Sequence, residues 1–360
     1  MARAKRAPRA VAKTLNDTWY TTWHNYSDIT SKLVEISAKH PEYTTFIPSI
    51  GELTHENRSI SALRIGRNKP NCAKVALIAG EHAREWIGVG SLMWMLGRLA
   101  GDLSSADSVV KTRDVDIYVV PCYNPDGYEY SRSNKRLWRK NRCDNGDGSF
   151  GVDLNRNWDN NWCVYGGSRA KSYQTYCGEG PFSEPETRAM SKWINSTGFD
   201  ALVDIHSYAG QILRPYGYKT DKSPDDARLL ALSNAMAGDV LEASGSRRTS
   251  YESIRGVDLY PASGAGDDWS YENAGIPTVL TIEVAGEDFV VGENEIEMRG
   301  DELYPAILRV IRENSKPTKY PLEDSSYPGE ESSKSSRTSG ASRNAFTGLL
   351  LIIAMLSILV

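Results

Sequence analysis

The chain has 360 residues, 40% apolar and 24% charged, with 42 Lys and Arg against 46 Asp and Glu for a formal charge of −4. That is the balance of an ordinary globular protein. It excludes wholesale disorder, a collagen-like repeat and a polytopic membrane protein, and it offers no basic surplus for nucleic acid.

In chain order, residues 1–14 are basic with no apolar run behind them, so they read as a disordered leader rather than a signal peptide. From 15 to 317 the texture is globular. Ile29, Leu33, Val34 and Ile36, with Asp28 near the start, predict a helix over Tyr26–His40. Ile60–Ile65 and Ala73–Ala79 read as strands, Ile87–Leu99 as a helix and Val115–Val120 as a strand followed by turn chemistry at Asn124-Pro125-Asp126-Gly127. Helices are predicted at Glu184–Asn195, Asp225–Ser244 and Asp301–Arg312, and strands at Ala201–Ile205 and Thr278–Val284. Strands alternating with helices predict an α/β fold. The expected form is a single domain over 15–317, with a mixed, mostly parallel twisted sheet and helices on both faces. Residues 318–344 are rich in Ser, Lys and Glu and cannot bury enough apolar surface to order themselves. Residues 345–360 are apolar, but sixteen residues fall short of the about 20 that span a bilayer. A polar spacer, small residues such as Ser339 and Gly340 and a short apolar end match a GPI-attachment signal, with a tail-anchor helix as the alternative.

The five cysteines are too few for a disulfide scaffold. Cys163 and Cys177, 14 residues apart in a Gly- and Tyr-rich loop, are the candidate bridge. No C-x-x-C occurs, which argues against metal binding by these thiols. Sequons at Asn16, Asn25, Asn57 and Asn195 favour a secretory route.

Two of the five histidines sit at the ends of predicted strands. Ala73–Ala79 leads into Gly80-Glu81-His82-Ala83-Arg84-Glu85, and Ala201–Ile205 leads into His206. Ligands in α/β sheets bind at the carboxyl ends of strands. His82 and Glu85, three apart, can face one way from a tight turn. Two neutral imidazoles and a carboxylate can hold Zn²⁺ and leave one position for water.

Six motifs follow in order: His82-Ala83-Arg84-Glu85-Trp86, Asn124-Pro125-Asp126-Gly127-Tyr128, Arg136-Leu137-Trp138-Arg139-Lys140, Gly151-Val152-Asp153-Leu154-Asn155-Arg156-Asn157-Trp158, His206-Ser207-Tyr208 and Leu259-Tyr260-Pro261-Ala262-Ser263-Gly264. Together they resemble the zinc metallocarboxypeptidases of the pancreatic A/B type, from about Trp19 to Asn314. Carboxypeptidase A itself is a standard example of a His₂Glu zinc site. The resemblance implies one Zn²⁺ on His82, Glu85 and His206, with Asp153 orienting a ligand imidazole. It also implies Glu283 as general base and Arg139 as the group that polarises the scissile carbonyl. Asn155, Arg156 and Tyr260 would hold the substrate's terminal carboxylate, and Arg84 and Arg136 would line outer subsites. After Glu283 the family continues Leu-Arg-Asp, where this chain has Val284-Ala285-Gly286.

Asp267 falls at the floor of the specificity pocket, where B-type members have Asp and bind Lys or Arg. Arg255 falls where the family has a small or apolar pocket residue, and an inward-pointing Arg255 would neutralise Asp267. The expected activity is removal of a single C-terminal residue, basic by preference, from peptides and proteins by a monomeric, cell-surface enzyme. The expected tail resembles that of carboxypeptidase O. Two alternatives stand beside this reading: a neutral or acidic preference, and an inactive peptide-binding relative.

Overall fold

In the computed structural model, residues 15 and 17–318 are described. The strands are β1 (Thr44–Ile47), β2 (Ala62–Gly66), β3 (Ala73–Ala79), β4 (Arg113–Val120), β5 (Ala201–Ser207), β6 (Gln211–Arg214), β7 (Glu252–Arg255), β8 (Thr278–Val284) and β9 (Lys316–Pro317). The helices are α1 (Tyr26–Lys39), α2 (Trp86–Asp102), α3 (Val109–Thr112), α4 (Pro125–Ser133), α5 (Pro185–Thr197), α6 (Asp226–Ser244), α7 (Gly256–Leu259), α8 (Gly266–Glu272) and α9 (Asn294–Glu313).

One sheet runs in the order β1-β2-β4-β3-β5-β8-β6-β7, with β9 added to the end of β4. Its centre, β4-β3-β5-β8, is wholly parallel. β2 and β6 join that centre antiparallel, so the sheet is mixed with a parallel centre, the α/β architecture the sequence predicts. The central strands are apolar on both faces because both are covered. β5 is buried along its entire length. α2 is buried almost all round and packs on β3 and β5 while α9 covers its back, and α6 lies beside α9. α5 covers the opposite face, where Trp193 meets Tyr118 of β4 with ring centroids 5.9 Å apart.

The structure differs from the sequence reading in places with local causes. Asn124-Pro125-Asp126-Gly127 does not close a turn but opens α4. The Asn124 side chain accepts the Gly127 N–H, and Pro125 occupies the first turn, where no amide donor is needed. The last helix begins at Asn294 and continues through Pro305. β1, β6 and β7 are four-residue strands, too short to display an alternation, and were not anticipated. The leader, the linker beyond Thr318 and the apolar tail lie outside the described residues. No helix among the described residues is long and apolar enough to cross a membrane.

Candidate active site

Three parallel strands end side by side and deliver the site. β3 runs into Gly80, whose φ of +75° turns the chain out of the sheet. Tyr123 N–H and Asn124 N–H then bond to Ala79 O and Gly80 O, tying the loops after β3 and β4 together. His82–Glu85 forms one tight turn closed by Glu85 N–H to His82 O. That turn brings His82 Nδ1 within 2.9 Å of Glu85 Oε1. His206, at the end of β5, puts its Nδ1 3.1 Å from His82 Nδ1 and 3.1 Å from Glu85 Oε2. The Ser207 N–H holds the same Glu85 oxygen. All three side chains are buried.

The donor set fits a tetrahedral Zn²⁺. Nitrogen and oxygen ligands about 2.1 Å from such an ion lie about 3.4 Å apart, close to the spacing here. The outer ring nitrogens face carboxylates, which turns both Nδ1 lone pairs inward. His82 Nε2 is 3.2 Å from Asp153 Oδ1. His206 Nε2 is 3.1 Å from Asp204 Oδ2 and 3.5 Å from Glu81 Oε2. Glu81 also lies among the possible donors, but on the Nε2 side of His206. Glu85 is the carboxylate on the Nδ1 side of both rings. The sequence reading missed Glu81 and Asp204. The signal was present: Asp204 interrupts an apolar strand two residues before a ligand, where an unpaired carboxylate is costly.

Asp153 serves two neighbours. Its Oδ2 accepts from Arg139 Nε at 3.0 Å and Nη2 at 2.9 Å, while Oδ1 faces His82. Burial opposes its charge, but Arg139 overrides this and holds the carboxyl far below the usual range. Glu283 of β8 is the register partner of His206 on β5, so the two lie side by side on adjacent strands. Burial pushes Glu283 up to about 7, and the Glu85 charge works the same way against His206.

The remaining predicted residues fall into two groups. Arg136 donates to Arg84 O and Phe289 O and stacks on Trp86, while Arg84 lies 4.0 Å from the Phe289 ring centroid. The guanidinium of Arg136 is thus committed to backbone carbonyls. Arg156 donates to Gly166 O and Asn155 O, and its guanidinium carbon is 5.9 Å from the ring centroid of the exposed Tyr260. Asn155 Oδ1 accepts Gly266 N–H at the start of α8. Gly264, at φ +71°, has no room for a Cβ, which would sit 2.6 Å from Arg156 O. Asp267 of α8 accepts from the Thr281 hydroxyl of β8. Thr281 and Glu283 are two apart and share one face of that strand. The Cys163–Cys177 bridge closes the loop beside Arg156, with Cα atoms 5.9 Å apart.

The zinc carboxypeptidase family model matches residues 29–306. The chain belongs to this family. It is 35% identical to human carboxypeptidase O over 301 residues, covering 81% of this chain and 79% of that one. It is 32% identical to carboxypeptidase B of Rattus norvegicus, covering 80% of this chain and 70% of that one. Bovine thrombin-activatable fibrinolysis inhibitor, solved with a tick carboxypeptidase inhibitor, superposes with a TM-score of 0.76 at 28% identity, over 82% of this chain and 98% of that one. Carboxypeptidase A of Helicoverpa armigera gives the same TM-score at 27% identity, over 82% of this chain and 74% of that one. This zinc carboxypeptidase is therefore a Zn²⁺-dependent metallocarboxypeptidase, acting on the C-termini of peptides or proteins.

Asp153 ties His82 of the candidate metal site to Arg139, so its loss should be felt at both. Asp153→Ala is expected to weaken zinc affinity by about 10- to 100-fold. Competition with a chelating indicator measures this, and an unchanged affinity would exclude a role for Asp153 in orienting His82.

Proposed function

We propose that this enzyme releases single C-terminal residues, with Lys and Arg preferred, and that His82, Glu85 and His206 hold its zinc. The observation that carries the reading is the convergence of His82 Nδ1, Glu85 Oε and His206 Nδ1 with Glu283 on the neighbouring strand. Bound there, Zn²⁺ supplies a Lewis acid and a water of lowered pKa. Glu283 takes a proton from the attacking water and passes it to the leaving nitrogen. Burial opposes the Glu283 charge, which favours return of the proton to the leaving nitrogen. Arg139 is locked on Asp153 through Nε and Nη2, and its Nη1 makes no hydrogen bond among the described residues. That atom can donate to the carbonyl oxygen as charge develops on it. Asn155, Arg156 and Tyr260 grip the terminal carboxylate, Arg156 through an Nη2 that is likewise uncommitted among the described residues. Arg84 and Arg136 frame the path of the preceding residues.

The basic preference rests on Asp267 and on the orientation of Arg255. The Arg255 guanidinium pairs with both oxygens of Asp258, at 3.0 and 2.6 Å, and donates to Thr220 O. It therefore does not neutralise Asp267, which makes no ion pair among the described residues. Burial raises the Asp267 carboxyl above its usual range. A Lys or Arg side chain entering the pocket would supply the missing counter-charge, whereas an apolar one would leave the carboxylate unpaired.

We place the mature protein at the cell surface, held by a lipid in exchange for residues 345–360. The support is the Ser-rich spacer and short apolar end of the sequence. Sequons at the exposed Asn57 and Asn195 accord with a secretory route.

Three measurements test this reading. Glu283→Gln should keep its zinc and lose at least about 10²-fold in kcat, and near-normal turnover would remove Glu283 as the base. Asp267→Arg should invert selectivity on peptides ending in Lys, Leu or Glu. A parent enzyme that prefers Leu or Glu would overturn the basic reading. A phosphoinositide-specific phospholipase should release the protein from intact cells, whereas release by detergent alone, with Val360 retained, would mean a membrane-spanning tail.

A further inference from the structure

His55, Cys143 and Glu184 come from three distant segments, and their donor atoms lie within 4.8 Å of one another. His55 Nε2 is 2.9 Å from Glu184 Oε2.

Each segment is fixed from behind. The flanks of His55 are anchored on the buried Asp126, which accepts from the Thr54 hydroxyl, the Glu56 N–H and Arg58 Nη1, each at 2.8 Å. Cys143 is held by its N–H to Asn141 Oδ1 and by its carbonyl to Gly151 N–H. Glu184 opens α5 and is almost fully buried.

A second feature lies beside this cluster. Glu186 is completely buried next to this cluster. It shares the amide of Asn141 with Glu184, at 3.0 and 2.7 Å, and its Oε1 has no hydrogen-bond partner among the described residues.

We propose that the His55 imidazole, the Cys143 thiolate and the Glu184 carboxylate form a second metal site, for a borderline divalent ion of the Zn²⁺ class. A thiolate and an imidazole select such an ion over Mg²⁺ or Ca²⁺. Ligands of a tetrahedral zinc lie about 3.4–3.6 Å apart, inside the range this cluster spans. Binding forms one bond from each donor and releases the thiol and imidazolium protons to solvent. The His55 side chain is 30% exposed, so a fourth position opens to water. The ion would tie three segments together: the loop before β2, the stretch that follows Arg139 and the start of α5. Spacing rules miss this site because its donors are about 90 and 40 residues apart.

The test uses the full-length protein and does not depend on turnover. The parent, Cys143→Ser and His55→Asn are equilibrated with excess Zn²⁺ and desalted, and metal is counted by mass spectrometry. The parent should carry one equivalent more than either variant. In the parent alone, Zn²⁺ should slow alkylation of Cys143, located by peptide mapping, by at least about tenfold, because the thiolate that reacts is the one that binds metal. Co²⁺ should add a thiolate charge-transfer band that the sulfur-free catalytic centre cannot produce. Alkylation protection and the cobalt band in the parent need no variant, so a misfolded variant leaves the proposal testable. No extra equivalent in the parent, its retention by a folded variant, unprotected Cys143 or no cobalt band would each overturn the proposal. Failure of the catalytic reading would appear instead as loss of the equivalent bound through His82, Glu85 and His206.

Discussion

The catalytic half of the molecule depends on one fully buried carboxylate. Asp153 faces His82 with one oxygen and takes two hydrogen bonds from Arg139 with the other. It also accepts the Asn155 N–H, which starts the single-turn helix Leu154–Arg156. One side chain therefore positions His82, Arg139 and the turn carrying Asn155 and Arg156, the groups proposed to hold the metal, the oxyanion and the substrate's terminus. A buried charge of this kind is tolerable only because a guanidinium lies against it and its remaining lone pairs are used. If Arg139 were removed, the buried carboxylate that faces His82 would be left uncompensated.

The charges around the centre explain why the fold accommodates a dication there. Glu81, Glu85, Asp153, Asp204 and Glu283 surround two imidazoles and one guanidinium. Burial drives Glu81 well above its ordinary range, with Asp204 adding to the effect. Glu81 Oε2 and Asp204 Oδ1 have no hydrogen-bond partner among the described residues. His82 and His206 would hold a divalent ion on the inner side of the rings, and its charge would strengthen the pull of these carboxylates on the outer N–H groups. The carboxylates in return make the ligating nitrogens more basic.

The proposed second site is tied to the first through a short stretch of chain. Asn141, which donates to Glu184 and Glu186, lies two residues after Arg139. Its Oδ1 also accepts from Val152 N–H, just ahead of Asp153. An ion on Cys143 would stiffen the loop between the oxyanion donor and its carboxylate partner without touching either.

Much of this was legible in the sequence because the relevant signals are local. The apolar runs of β3, β5 and β8 announce strands buried on both faces, and His82 and His206 stand where those strands end. His82 and Glu85 are one turn apart, so their meeting is nearly a property of the turn itself. The motif order carried the family. What needed the tertiary structure was everything set by side-chain direction or by distant packing. The sequence left Arg255 free to point at Asp267, and only its pairing with Asp258 decides that it does not. Asn-Pro-Asp-Gly reads as a turn until the strand before it fixes Asn124 as a helix cap. Arg136 looks free until two carbonyls 52 and 153 residues away occupy it. His55, Cys143 and Glu184 share no spacing at all. Local chemistry writes itself into neighbouring residues, whereas a contact between remote segments exists only once the sheet has set its strand order and register.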